Sequence, residues 1–387
     1  MTSRAPRPRL SDRRLGRATL ARQGLLERHP GDVVDVVEQV GAIQSQQWSA
    51  VAVGLAARSA KFTPDELYAA LDDGALVTGT LLRRTLHLCS RSDHPAYALV
   101  ADTMGANDWW RTDPPPGRGA MALRRDLLAY AVSLTRTVEE TSSFIEAWLD
   151  ERPGVLSDEE LETQRAYGWR PYRSGSDFVR APANGVWGPR TPSGFLAAPE
   201  PPSLLKQPDR DDALAAVVRR HLRAFGPAGA EDIAAWTGVS VATVRTVLNR
   251  RRRELVTYEA ADGRRLHDLR GMPLPDEDTP APARLLPWFD GTLLGFAPAR
   301  RSRVLDDEHR SAVYLRANLQ VRPTFMVDGR IAGTWSVQVA SRESVLTLEP
   351  FRRLPKRVLG EVVAEAEPVV RLLAPVSRAH GVVVAAA

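Results

Sequence analysis

Two glutamines separated by one residue are the most unusual polar feature of the chain. Gln44 follows Val37 and Val40 at helical spacing, so the pattern predicts its amide on the core-facing edge of a helix. Gln46 follows where that helix is expected to end. A buried amide needs hydrogen-bond partners or a functional purpose. The pair is therefore a candidate polar site, with a helix-terminal amide bonded to local backbone as the alternative.

A second polar group is predicted on a strand further along the chain. Residues 76–89 alternate as strand material with an interruption at Gly79, and strict alternation places Arg83, Thr85 and His87 on one face. This face could line a pocket. The alternative is that His87 is a hydrogen-bonded structural residue of a half-buried strand.

Arginines mark a third candidate site, one for nucleic acid. The run Arg250 to Arg253 ends a predicted helix, where guanidinium groups can reach phosphates beside a groove. The alternative is a solvated helix end that complements the helix dipole. The predicted DNA-binding residues, which include a helix position and two hairpin positions, are Arg245, Arg250, Arg251, Arg252, Arg253, Arg264 and Arg265.

Other catalytic and cofactor signatures do not compete with these sites. The sequence has no Ser-His-Asp set, P-loop or GxGxxG fingerprint. Its only cysteine, Cys89, cannot form an internal disulfide, and no Cys/His cluster has zinc-site spacing. We therefore expect neither a metal nor an organic cofactor.

Length and charge place limits on the class of protein. The 387 residues, 43% of them hydrophobic, suffice for more than one core. The net charge of +5 suits an anionic partner, although GC-rich codon usage can also produce many arginines. No apolar run is long enough for a membrane span, and the first residues lack the apolar segment of a secretory signal, so we expect a cytoplasmic protein.

Helices followed by hairpins recur along the sequence. One helix is predicted from Ser11, Asp32 is the predicted N-cap of a second, and Thr63 and Pro64 open a shorter one that ends at Gly74. Helices over 141–150 and 157–167, then a long Gly/Pro-rich stretch, make a second unit. The proline-dense run 199–210 predicts a linker to the next module.

The third unit is the clearest. A helix over 212–224, a second over 231–236, a turn at Gly238 and a third helix capped by Ser240 have helix-turn-helix spacing. A hairpin with a type I′ turn at 262–263 supplies the wing. Beyond it come a strand, a hairpin at 328–329, a strand and a helix from Pro355 to about Leu373.

The sequence thus predicts an α+β protein of tandem winged-helix modules with a small C-terminal α+β domain. The expected divisions are 1–118, 119–206, 207–275 and 276–387.

The segments VGAIQSQQ, TLLRRTLHL, LPWFDGTLLGF and PTFMVDGRIAGTW, with the third helix-turn-helix, resemble one known family. This is the winged-helix DNA-binding domain-containing (helix-turn-helix 42) family, which includes the AlkZ and YcaQ alkylpurine DNA glycosylases. The resemblance covers nearly the whole chain. It implies a concave DNA-binding surface, a monomer, and a catalytic glutamine-x-glutamine motif at Gln44 and Gln46. The middle residue, usually aliphatic in that family, is Ser45 here.

The resemblance implies a monofunctional DNA glycosylase that removes alkylated purines from duplex DNA, in repair or self-resistance. An alkylated purine already carries positive charge, so two amides could orient water without a strong general acid. The first alternative is a non-catalytic winged-helix protein or transcriptional regulator, which would not need Gln44 or Gln46. The second is a C-terminal small-ligand sensor with Asp290 or Asp328 as contacts, although both positions also suit turn residues.

Overall fold

A computed structural model describes residues 8–104, 118–173, 175–188, 193–201, 207–315, 317 and 319–386 of the chain. These residues form both helices and strands, so the predicted α+β class is confirmed. The chain divides into two compact units: the first contains residues 1–67 and 218–387, and the second contains residues 68–217.

The helices are α1 Asp12–Arg22, α2 Val33–Val40, α3 Trp48–Arg58, α4 Pro64–Asp72, α5 His94–Met104, α6 Arg118–Tyr130, α7 Val138–Asp150, α8 Asp158–Ala166, α9 Arg170–Arg173, α10 Gln207–Phe225, α11 Ala230–Thr237, α12 Val241–Arg250, α13 Gly291–Leu294, α14 Arg310–Val313 and α15 Lys356–Leu373. The strands are β1 Arg9–Leu10, β2 Ile43–Gln44, β3 Leu76–Thr80, β4 Leu86–Ser90, β5 Phe178–Pro182, β6 Ser193–Ala197, β7 Leu255–Ala260, β8 Arg265–Leu269, β9 Arg284–Leu286, β10 Tyr314–Leu315, β11 Gln320–Val321, β12 Thr324–Val327, β13 Arg330–Gln338, β14 Glu343–Pro350 and β15 Ala379–Val384. None of the helices among the described residues combines the length and apolar character needed to cross a membrane.

A five-stranded sheet forms the base of the first unit. Its order is β15-β14-β13-β12-β9, antiparallel except for the parallel pair β14 and β15. Helix α15 packs its buried Val362 and Ala366 against this sheet, around the fully buried Trp335. The Trp335 indole donates to the Leu286 and Thr324 carbonyls at 3.0 and 3.1 Å. The sheet therefore fixes the end of β9, from which the segment 287–291 departs.

The N-terminal helices begin at the predicted positions. Ser11 Oγ accepts a hydrogen bond from the backbone N–H of Arg14, and an Asp32 carboxylate oxygen accepts from the first turn of α2. Helix α2 ends at Val40 because Gly41 takes a left-handed φ of 81°. The residues after Gly41 therefore do not continue the helical spacing of α2.

Helices α10, α11 and α12 precede the β7/β8 hairpin. Gly238, with a φ of 87°, ends α11, and Ser240 caps α12, as predicted. Strand β1 adds to β7 in parallel, giving a three-stranded sheet. The helix-turn-helix order and its following hairpin are thus confirmed locally.

The two predicted Asp-Gly turns differ. At Asp328 and Gly329 both residues have positive φ, as a type I′ turn requires. The type I′ prediction at Asp262 and Gly263 is wrong, because only Gly263 has a positive φ and its N–H bonds to the Ala260 carbonyl. The wing loop is one residue longer, and this longer loop lets Asp262 keep its ordinary backbone conformation.

The second unit is built on an antiparallel sheet of order β4-β3-β5-β6, with α6, α7 and α8 around its core. Thr137 and Glu140 form a capping box, so α7 starts three residues before the predicted start. Ser157 caps α8, which lies within the predicted helix range 157–167.

Two sequence predictions fall partly on residues outside the described ranges. Within the predicted long wing, residues 189–192 lie outside, and β5 and β6 flank them. Within the predicted linker, 202–206 lie outside, and α10 begins at Gln207. The linker prediction is therefore wrong over 207–210, where a helix of 19 residues has already started.

Candidate active site and nucleic-acid interface

Gln44 and Gln46 lie just beyond the end of α2. Because Gly41 ends the helix, Gln44 is on the short strand β2 and not on the helical stripe of Val40, so that predicted register is wrong. Gln44 is half-buried, Ser45 is buried and Gln46 is exposed. The segment thus carries one amide at the edge of the core and the other in solvent.

The two amides contact each other directly. Gln44 Nε2 donates a hydrogen bond to Gln46 Oε1 over 2.8 Å. An amide can donate through nitrogen and accept through oxygen, but it carries no formal charge. The pair can therefore present fixed dipoles to a reacting group, whereas it cannot act as a strong acid or base.

A cavity of about 20 Å³ adjoins Gln44. This volume is about what one ordered water requires. The remaining lining comes from the end of α2, from α3 and from the segment after β9; these residues are Gln23, Val40, Ala42, Ile43, Ala50, Gly54, Arg58, Phe225, Pro287, Trp288, Phe289, Asp290 and Gly291.

A buried ion pair closes the inner side of this cavity. Arg58 Nη2 lies 2.9 Å from Asp290 Oδ1, and the two side chains are 3% and 2% exposed. The same Asp290 oxygen accepts from the Thr292 N–H at 2.8 Å as the N-cap of α13. The carboxylate is therefore engaged structurally, as a helix N-cap and not as the predicted turn residue.

Gln23 connects this ion pair to the helix that precedes the glutamine pair. Its Nε2 donates to the Val40 and Ala224 carbonyls, both at 3.1 Å, and its Oε1 accepts from Arg58 at 3.3 Å. Sequence reasoning missed Gln23 and Arg58. The one available signal was a lone charge, Arg58, at the end of an otherwise apolar α3.

The predicted pocket residues of the second unit do not form an alternating strand face. A 3₁₀ turn over Leu82–Arg84, with Arg83 and Arg84 at positive φ, separates β3 from β4. The prediction of one polar strand face is wrong, because this turn breaks the period of two before His87. The interruption predicted at Gly79 is also wrong, since β3 continues through that glycine.

His87 itself is buried. Its Nδ1 lies 2.9 Å from the Thr85 carbonyl oxygen, to which a protonated Nδ1 donates. Burial, and then the charge of Arg83, lower the pKa of His87 to about 3. The imidazole is therefore neutral at ordinary pH, consistent with the structural alternative for this residue.

Buried histidines predict an acid-sensitive fold. Burial also lowers the pKa of His94 and of His221 to about 4 each. Because the unfolded chain takes up these protons near pH 6.5 and the folded chain does not, stability is complete above 6.5 and falls below it. We expect each histidine to cost about 1 kcal/mol between pH 6.5 and 5.5, since the unfolded imidazole is already half protonated at pH 6.5. Urea unfolding at the two pH values measures this, and an unchanged unfolding midpoint would contradict it.

A basic groove lies between α12, the β7/β8 hairpin and the 3₁₀ segment Pro298–Arg303. Its volume is about 480 Å³, and four arginines line it: Arg245, Arg264, Arg265 and Arg300. Arg245 pairs with Glu231 at 2.7 Å, and Arg264 pairs with Asp262. The structure thus brings three of the predicted DNA-binding residues together and adds Arg300, which sequence reasoning missed because it is 35 positions from Arg265.

The arginine run at 250–253 is not among the residues that line this groove. Helix α12 ends at Arg250, and Arg251 is its C-cap, paired with Glu254 at 3.2 Å. Arg252 and Arg253 are exposed in the turn that follows.

The groove and the run are distinguishable by mutation. Among the described residues neither Arg265 nor Arg300 forms a salt bridge, although the charge of Arg300 acts on Glu231 and Asp262. We therefore expect Arg265→Gln/Arg300→Gln to weaken binding of an undamaged duplex more than Arg252→Gln/Arg253→Gln. Removing one arginine that binds a phosphate should lower the slope of log affinity against log salt by about 0.9. Binding isotherms at several salt concentrations measure the affinity and the salt slope of each double variant. A larger effect at 252 and 253 would place the main phosphate-binding residues in the arginine run 250–253.

One group of possible metal ligands occurs in the described part of the chain. Ligand atoms of Asp306, Glu308 and His309 lie within 4.8 Å of one another. Asp306 pairs with Arg330, and Glu308 lies 3.3 Å from His309 Nε2. These contacts account for the cluster without an ion.

Asp328, the other candidate of the sensor alternative, is also engaged. It lies in the β12/β13 turn and pairs with Arg13 and with the buried Arg17. Asp328 is therefore a turn residue, as the alternative predicted, whereas Asp290 is a helix N-cap.

The family is shown by comparison with known proteins. The model of the AlkZ-like DNA glycosylase family matches residues 37–372, so the chain belongs to that family. It is thus a DNA-binding protein of the DNA glycosylase class that acts in DNA repair.

Two relatives extend the match. The chain is 27% identical over 383 residues to an interstrand DNA cross-link repair glycosylase of Streptomyces sahachiroi, covering 91% of this chain and 95% of that protein. The solved structure of Streptomyces sahachiroi DNA glycosylase AlkZ has the same fold, with a TM-score of 0.75 and 24% identity over 97% of this chain and 100% of that one.

Proposed function

We propose that this chain hydrolyses the N-glycosidic bond of alkylated purines in duplex DNA, with Gln44 and Gln46 as its catalytic residues. One observation carries the proposal: in a member of a DNA glycosylase family, the Gln44 amide lines a cavity for about one water and is hydrogen-bonded to the exposed Gln46 amide.

The chemistry suits amides because the substrate is already activated. An N7- or N3-alkylated purine is cationic, so when the bond from C1′ to N9 breaks, its electron pair neutralises the purine. Positive charge then develops on the sugar, and a water oxygen bonds to C1′ and releases a proton to solvent. Amide carbonyl dipoles that are held in advance can orient this water and face the developing charge.

We propose bulky or crosslinked purines as the substrate class. The support is the relative from Streptomyces sahachiroi, which is an interstrand DNA cross-link repair glycosylase. The cavity beside Gln44 is also too small for a purine, so the lesion would contact the site from outside it. An adduct too large to enter a closed pocket is compatible with such a site.

We further propose that tandem winged-helix units and a C-terminal α+β domain bind the duplex, divided at the predicted boundaries 118, 206 and 275. Helices α10 to α12 with the β7/β8 hairpin support the third unit. The units predicted at 1–118 and 119–206 each contain an antiparallel strand pair that follows helices, β3/β4 after α4 and β5/β6 after α9. We propose a monomer, which size-exclusion chromatography with light scattering tests.

The substrate class is tested by comparing two duplexes, one with N7-methylguanine and one with an interstrand crosslink through guanine N7 atoms. We expect the protein to unhook the crosslink on a denaturing gel at least as fast as it releases the methylated base. Release of the methylated base without unhooking of the crosslink would mean that the substrates are simple adducts. Binding without release from either duplex would favour the non-catalytic DNA-binding protein.

A further inference from the structure

Three arginines of the second unit form a cationic cluster that the candidate sites above do not include. Arg170 and Arg173 lie at the two ends of α9, and Arg180 lies in β5. The Arg180 guanidinium carbon is 4.0 Å from the ring centroid of Phe195, its partner across the β5/β6 pair. The Arg173 guanidinium carbon is 5.3 Å from the same centroid. Two cations therefore share one aromatic ring.

Carboxylates do not neutralise this cluster by direct contact. Among the described residues, no carboxylate oxygen lies within salt-bridge distance of Arg170, Arg173 or Arg180. Other arginines of the same unit do pair with glutamates; these are Arg136 with Glu140, Arg152 with Glu151, and Arg165 with Glu146. The contrast singles out the cluster as uncompensated positive charge.

The arginines also repel one another. Burial, and then the charges of Arg173 and Arg170, lower the pKa of Arg180 to about 10. Burial and Arg170 lower the pKa of Arg173 as well, with Glu139 acting in the opposite direction. Mutual repulsion among three neighbouring guanidinium groups is unfavourable in the folded protein, and a bound anion would relieve it.

The backbone holds Arg173 in place. Gly168 and Trp169 both take left-handed φ values, 55° and 59°, an arrangement that is strained for tryptophan. The buried Trp169 indole donates to Glu146 at 2.8 Å, and the Gly168 carbonyl accepts from Arg173 Nε and Nη2 at 3.1 and 2.9 Å. The cation is therefore fixed before any ligand binds.

We propose that Arg170, Arg173 and Arg180 form a binding site for a phosphodiester of the DNA backbone. A planar guanidinium matches phosphate oxygens in a bidentate fork, and stacking on Phe195 occupies its face while its N–H edges lie in the plane. The site recognises the phosphate charge and not the base sequence. It therefore contributes to affinity and to the position of the protein along the duplex. It rests on the DNA binding of the family, and it is independent of the roles of Gln44 and Gln46.

Salt dependence tests this site in the full-length protein with an undamaged duplex. We expect Arg170→Gln/Arg180→Gln to lower the slope of log affinity against log salt by about 2, close to 0.9 for each phosphate contact. The matched control is Arg152→Gln, since Arg152 also stacks on an aromatic ring, at 4.4 Å from Trp148, but is paired with Glu151. The control should keep the wild-type slope.

Several outcomes would overturn the proposal. An unchanged slope in the double variant would do so, and because the duplex is undamaged this result would leave the catalytic proposal intact. If Arg180→Gln fails to fold, Arg170→Gln alone, at an exposed position, must still lower the slope by about 1. Loss of binding to phosphatidylglycerol vesicles with unchanged DNA binding would assign the same phosphate chemistry to a lipid headgroup and reject DNA as the ligand.

Discussion

Replacing both glutamines by alanine, Gln44→Ala/Gln46→Ala, is expected to slow base release from an alkylated duplex by about 100- to 1000-fold. The reason is the loss of two hydrogen-bonded amide dipoles, one of which lines the cavity; the removal of one preorganised group from an active site has an effect of that size. Because the pair acts as a unit, each single variant should lose nearly as much as the double variant. Single-turnover release at saturating protein measures the loss.

The same variant should bind an alkylated duplex with unchanged affinity, within about twofold, since the arginines supply most of the binding free energy. The matched control is Gln47→Ala, which removes a neighbouring half-buried amide that makes no capping hydrogen bond to α3. Wild-type release by the double variant would remove Gln44 and Gln46 from the mechanism.

Arg58→Ala is expected to lower the free energy of unfolding by about 3 to 5 kcal/mol. It removes one partner of the buried pair and leaves the Asp290 carboxylate uncompensated next to the cavity. Gln23 also loses its bond from Arg58, so the end of α2 at Val40 is held less firmly. Urea unfolding gives the change in stability, and base release at a temperature below the transition gives the effect on the site.

An exposed ion pair of the same unit provides the control. Arg357 lies 3.6 Å from Glu361 on α15 and its side chain is 89% exposed, so Arg357→Ala should cost no more than about 0.5 kcal/mol. Equal costs for Arg58→Ala and Arg357→Ala would mean that the buried pair does not hold the site together.

Local sequence rules predicted the features that depend on local chemistry. Ser11, Asp32 and Ser240 begin their helices because their side chains satisfy N–H groups of the first turn. The turn at Asp328 and Gly329 likewise follows from backbone preferences of those two residues. Gly41 carried a usable signal for the end of α2, and it would have corrected the helical position assigned to Gln44.

The surroundings of the glutamine pair were beyond such rules. Arg58 and Asp290 are 232 residues apart, and Gln23 bonds to Ala224 across 201 residues. No period or spacing relates positions so distant, since only the tertiary fold brings them together. The grouping of residues 1–67 with 218–387 in one compact unit is nonlocal in the same way, whereas the four predicted divisions follow chain order.

The DNA-binding arginines likewise differ in whether local sequence or only tertiary packing reveals them. Arg250 to Arg253 were prominent because they are contiguous, yet the groove is lined by residues from a helix, a hairpin and a 3₁₀ segment. Arg300 belongs to a second arginine-rich segment, 300–303, whereas Arg170, Arg173 and Arg180 are dispersed along the chain. Their importance depends on which charges lie near them, and that depends on packing.

A glycosylase that acts on alkylated purines must release the modified base and leave an abasic site in the duplex. The most direct measurement is release of free base from duplex DNA that carries N7-alkylguanine, with small and bulky adducts, followed by chromatography together with the count of abasic sites formed. We expect one free alkylguanine for each abasic site; a duplex that is bound while every adduct, small or bulky, keeps its base would contradict the account.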